Sequence, residues 1–150
     1  MKQFLRFISY LVLAIAFIPA HAGSYEDFFT AIARDDAAVV QGLLQRGFDP
    51  NTRDPGGQHG LYLALRTPAP KVTQVLIDWP RVDLDARSPQ DETPLMMATL
   101  KGHTDFALKL IERGADVNKP GWTPLHYAAT SGQLLLLQVL LDKHAYIDAE

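Results

Sequence analysis

Cysteine is absent from the 150 residues, and no charge of one sign dominates: 14 Lys and Arg stand against 17 Asp and Glu. Without cysteine there is no disulfide framework, no thiolate for zinc and no lipid attachment site at an export signal, so the chain is stable by packing alone. The mixed, mildly acidic charge leaves no electrostatic footprint for nucleic acid or anionic lipid. Also missing are the H-x-x-x-H and H-E-x-x-H spacings of metal sites, the G-x-S-x-G of a nucleophile elbow and the acidic spacing of a calcium loop. The glycine-rich stretch DPGGQHG, Asp54 to Gly60, lacks the Lys-Ser/Thr ending of a phosphate loop and reads as a turn. No catalytic, cofactor-binding or metal-binding residues are therefore assigned, and the chain is read as no enzyme.

Only one long apolar run occurs, Leu11 to Ile18, and it sits behind the basic residues Lys2 and Arg6. Pro19 ends it, and Ala20-His21-Ala22 places small residues where a signal peptidase reads them. Arg6, Ser9 and Tyr10 keep the segment short of the ~20 apolar residues that cross a bilayer. The expectation is a signal peptide over 1–22, cut between Ala22 and Gly23, with no membrane insertion afterwards and a periplasmic or secreted product; a retained membrane anchor is the alternative. The remaining 128 residues carry a formal charge of −5, enough chain for one domain with a modest core.

Internal repetition is the strongest feature. TPLMMATLKGHTDFALKLIERGADVN, Thr93 to Asn118, aligns without gaps on TPLHYAATSGQLLLLQVLLDKHAYID, Thr123 to Asp148, at an offset of 30. LYLALRTPAPKVTQVLID, from Leu61, matches at an offset of 34, and FFTAIARDDAAVVQGLLQRGFDPN, from Phe28, carries the same skeleton. Thr123 suits a helix cap and Pro124 the first helical position, where a missing N–H costs nothing. Gly132 suits a left-handed helix end, and Leu136, Leu137, Leu140 and Leu141 make the apolar face of a second helix.

These residues resemble the ankyrin repeat, whose pattern runs roughly G-x-TPLH-x-AA-x-x-G, then an apolar helix, then G-AD-V-N. The resemblance covers nearly all of 23–150 and implies an all-α solenoid of about four helix-pair units joined by hairpin loops, approximately 24–57, 58–90, 91–120 and 121–150. His59, His103, His126 and His144 occupy different positions of the repeat, so stacking does not gather them as ligands; His126 matches the family's structural histidine. Asp35 and Asp36 in the first unit read as the wetted face of a terminal cap. Asn118 to Thr123 is three residues shorter than the junctions Asn51 to His59 and Asp85 to Thr93, which predicts a notch beside Trp122. The fourth unit leaves Leu134 and Leu135 without a polar cap, so the expectation is either a truncated product or a partner covering that end.

The resemblance implies a concave face of hairpins and first helices that holds another protein. Its candidate contacts are Arg53, Gln58 and Tyr62, then Arg87, Gln90, Met96 and Met97, then Lys119, Trp122 and Tyr127, with packing roles as the alternative for Met96, Met97 and Trp122. The expected function is a non-catalytic periplasmic module that stabilises, assembles or shields a partner protein. Neutralisation of a periplasm-targeted toxin, as an immunity protein, and action on a host protein, as a secreted effector or scaffold, are the alternatives.

Overall fold

The computed structural model describes residues 19–146, so the expected signal segment up to residue 18 and the final residues 147–150 fall outside the description. The described helices are α1 (Pro19–Ala33), α2 (Ala37–Gln45), α3 (Gly60–Arg66), α4 (Pro70–Asp78), α5 (Pro94–Leu100), α6 (Thr104–Glu112), α7 (Pro124–Thr130) and α8 (Leu134–Asp142). Helix α1 runs through the expected cleavage point between Ala22 and Gly23. None of the described helices is long and apolar enough to cross a membrane.

The corner between the two helices of a unit is closed in the same way in the first, third and fourth units. After the first helix, the N–H groups of Asp36, His103 and Gln133 reach back to the carbonyls of Ala31, Ala98 and Ala128, each at 2.9 Å. That closure requires a positive φ at the residue before, supplied by Gly102 (+70°) and Gly132 (+71°), and by Asp35 (+54°) in the first unit. Asp35 has a second role there that the repeat pattern does not show. Its carboxylate accepts the Val72 N–H at 2.9 Å, capping α4, whose own N-cap residue Ala69 has no side chain able to do so. Asp36 likewise caps α2 through the Val39 N–H. Arg34 and Asp36 are exposed and Asp35 is half-buried, so the corner is wetted as expected, and its two carboxylates also serve as helix caps.

Antiparallel pairing inside a unit (α1/α2, α3/α4, α5/α6, α7/α8) combines with stacking of first helices on first helices and second on second. Phe28, Leu61, Leu65, Leu76, Leu95, Leu110, Leu136 and Leu140 are all essentially inaccessible to solvent and form one core running through the four units. The close approach of units is most evident at Gly60, where a Cβ would meet Phe28 Cε1 at 2.8 Å.

The hairpins between units are joined by a recurring amide or carboxylate. Asn51 donates to the Arg81 carbonyl at 2.9 Å and accepts the Asp83 N–H at 2.7 Å. Asp85 accepts the Asp116 N–H at 2.8 Å, and Asn118 donates to the His144 carbonyl at 3.0 Å. Each residue opens one hairpin and satisfies the backbone of the next, which is the physical meaning of the polar ending in ADVN. At the far end, Leu134 (78%), Leu135 (61%) and Leu141 (40%) remain exposed. The positions equivalent to Leu137 and Leu141 one unit earlier, Ala107 and Ile111, are buried.

Candidate partner-binding face

The second, third and fourth units each place a side chain able to cap a helix at the same register. His59, Thr93 and Thr123 occupy the N-cap of the first helices. The Thr93 N–H is accepted by Met96 Sδ at 3.3 Å, and the Thr123 N–H by His126 Nδ1 at 3.2 Å, three residues on in both cases. Met96 therefore takes over the structural role of the histidine in TPLH. His59 instead folds its ring back on the helix: Nδ1 accepts the Leu61 N–H at 3.2 Å, so Nε2 carries the proton and donates to Asn51 Oδ1 at 3.1 Å. Burial pushes its pKa down to about 4, with Arg53 adding to the depression and Asp83 and Asp49 opposing it.

Immediately before those caps stand Gln58, Glu92 and Trp122, one per unit. Gln58 Nε2 donates to Gln90 Oε1 at 3.5 Å, a long contact that joins the first two hairpins. Arg53 Nη1 donates to the carbonyls of Gly57 and Arg87, both at 2.7 Å, fixing the first hairpin on the second. Arg87 pairs with Asp91 at 3.1 Å, and Lys119 Nζ reaches the other oxygen of Asp91 at 2.6 Å, fixing the second hairpin on the third. The Lys119 ammonium, followed by Arg87, holds the Asp91 carboxyl below its ordinary value.

The short third junction opens a cleft of about 490 Å³ lined by Gln90, Asp91, Glu92, Met96, Lys119, Pro120, Gly121, Trp122 and Tyr127. Across it, Glu92 Oε1 accepts the Tyr127 hydroxyl at 2.8 Å and Oε2 accepts the Tyr62 hydroxyl. Glu92 thereby ties α3 and α7 to the hairpin between them. Burial, then the Glu92 carboxylate, raises both tyrosines to about 12, so both remain protonated donors. The Trp122 ring is 55% exposed and lies 5.4 Å from His126 and 5.5 Å from Tyr127.

Of the ten residues read from the sequence as contacts, Arg53, Arg87, Gln90 and Trp122 are exposed and Tyr127 is half-buried. Gln58, Tyr62, Met96, Met97 and Lys119 are buried. Met97 is a core residue: packing against the neighbouring helices takes it off the surface. Tyr62 and Lys119 act through the carboxylates they hold, and Met96 forms the cleft floor while capping α5. The sequence reading passed over Asp91 and Glu92. Glu92 was legible in principle, because an offset of 30 places it in register with Trp122. Among the described residues no group of three or more His, Asp or Glu side chains is arranged to hold a metal ion.

The family described as ankyrin repeats (3 copies) matches the chain over residues 28–120 and again over 61–150. The B-cell lymphoma 3 protein homolog of Mus musculus is 33% identical over 119 residues, covering 75% of this chain and 27% of that protein. Neurogenic locus notch homolog protein 1 of Xenopus laevis is 36% identical over 121 residues, 79% of this chain and 5% of its own. Protein fem-1 homolog A-like of Mus musculus is 41% identical over 73 residues, 47% of this chain and 11% of its own. The chain thus spans about a quarter or less of these relatives' lengths.

Proposed function

Because this chain belongs to the ankyrin-repeat family, whose repeats are protein–protein interaction modules, we propose that it is a non-catalytic binding module of the bacterial periplasm that stabilises, assembles or shields a partner protein. The observation that carries the reading is the exposed Trp122 beside the Gln90–Glu92 segment, at a cleft whose walls are already ion-paired and hydrogen-bonded. Tryptophan and arginine are favoured interface anchors, and a surface fixed before binding loses little entropy when a partner arrives. The Arg53, Asp91 and Glu92 contacts supply that fixity. The periplasmic location rests on the signal-like residues 1–22 and not on the fold.

Affinity capture from an envelope extract, with the tagged chain exported by its own N-terminus, tests both parts. The bait is expected to have a mass starting at Gly23 and to retain one stoichiometric protein, with retention lost in the folded double variant Trp122→Ala/Tyr127→Ala. Retention of Met1 would overturn export by cleavage. Equal capture by parent and variant would overturn the concave face as the binding surface. Capture only of an added toxin or host protein would move the function to the immunity or effector alternative.

A further inference from the structure

Resting on that binding reading, we infer that the cleft between the second and third hairpins receives an arginine side chain of the partner, its guanidinium on the Glu92 carboxylate and its face against Trp122. Three observations lead there. The ion pairs among the described residues are Arg87–Asp91, Lys109–Asp78 and Lys119–Asp91, so the half-buried Glu92 carboxylate has no cation of its own. The nearby Arg66 lies over the Tyr62 ring, 5.9 Å from its centre, and is not paired with Glu92.

The carboxylate's hydrogen bonding is half used, and in a particular way. A carboxylate accepts about four hydrogen bonds, and here each oxygen takes one tyrosine hydroxyl, leaving one acceptor position on each. Two free positions on two oxygens match the fork of a guanidinium better than the single point charge of an ammonium. The remaining wall supports the same ligand: the exposed Trp122 ring offers a flat π-face, and Met96 gives the floor a polarizable lining.

The wider field agrees in sign. Residues 49–59, 81–92 and 116–122, which make the hairpins, carry seven Asp and Glu against four Lys and Arg. Arg87 and Lys119, the cations nearest the cleft, are both engaged by Asp91. A partner segment presenting arginine is drawn to this edge, and one presenting glutamate is repelled.

The test uses the purified full-length protein and short capped peptides: acetyl-Gly-Arg-Gly-amide, with Lys and Glu in place of Arg as comparisons. The Trp122 indole N–H, distinguished from that of Trp79 by a Trp122→Phe variant, is followed by NMR, together with the backbone amides of Glu92 and Tyr127. The arginine peptide is expected to saturate with a Kd of roughly 1–10 mM, the scale of one isolated contact. The lysine peptide should bind several-fold more weakly, and the glutamate peptide should not bind. Glu92→Gln, shown to be folded by an unchanged spectrum elsewhere, should weaken the arginine peptide at least tenfold. Should that variant fail to fold, Trp122→Ala, at an exposed position, should weaken it several-fold with Glu92 and Tyr127 as reporters. Absence of saturable shifts, equal binding of lysine and arginine peptides, or parent-like binding by the folded variant would each overturn the inference. Protein capture can still succeed in that case, so this failure is distinguishable from failure of the binding reading.

Discussion

Acidification from about pH 7.5 to about pH 4.5 should cost the fold about 2–3 kcal/mol through His59 alone. The ring is 1% exposed, its pKa is pushed from the ordinary 6.5 to about 4, and its neutral form is fixed by the bonds to Leu61 and Asn51. Between those values the unfolded chain holds a proton that the folded chain refuses, so stability rises with pH and is lost as pH falls through the unfolded value. The loss is complete below the folded value. Asp78 and Asp91, whose carboxyls are lowered by Lys109 and Lys119, contribute stability that disappears only below their ordinary 3.8. Asp85, raised by burial, works in the opposite direction as the pH falls. The readout is therefore the difference between parent and His59→Thr, the residue used at the equivalent cap by Thr93 and Thr123. Urea unfolding at several pH values should show a slope in the parent that is flatter in the variant. Parallel slopes would mean that the histidine is not held neutral.

Leu95→Ala should lose about 2–5 kcal/mol, whereas Leu134→Ala should change stability by about 0.5 kcal/mol or less. Leu95 is 0% exposed in α5, between α3 and α7, and Leu134 is 78% exposed on the outer side of α8. Removing the first leaves a cavity among packed helices that cannot slide together, since each is held by its own cap and turn. The change should also weaken both neighbouring interfaces, because a solenoid is stabilised unit by unit and by nearest-neighbour contact. A urea midpoint that falls for Leu95→Ala and stays for Leu134→Ala supports the four-unit stack. Comparable losses would mean that the fourth unit's outer leucines are covered in solution.

What could be read from the residues beforehand follows the range of the interaction. Thr123, Pro124 and Gly132 declared their roles because each acts within a few residues of itself: a cap, a first helical position, a left-handed turn. Of the leucines at helical spacing in α8, Leu136 and Leu140 are core as read, whereas Leu141 stays 40% exposed. The cap that Asp35 places on α4 was not legible because its bond partner, the Val72 N–H, lies in the next unit. Met96 could be read as a contact or as core filler, and nothing in a methionine announces that its sulfur will also accept a cap N–H. Glu92 was missed because its meaning depends on two tyrosines, Tyr62 and Tyr127, brought to it by stacking from 30 residues before and 35 after. Of the candidate site, the exposed rim was legible and the polar chain beneath it was not, since register between hairpins is set by the whole stack.

On the proposed function, the concave face, and not the backs of the second helices, holds the partner. Amide hydrogen exchange of the chain with and without its captured protein tests it most directly. Added protection is expected in the hairpins and first helices, over 53–66, 87–100 and 118–130, greatest around Glu92 and Trp122, with the second helices 104–112 and 134–142 unchanged. Protection confined to those second helices, or to the leucines of α8, would contradict it.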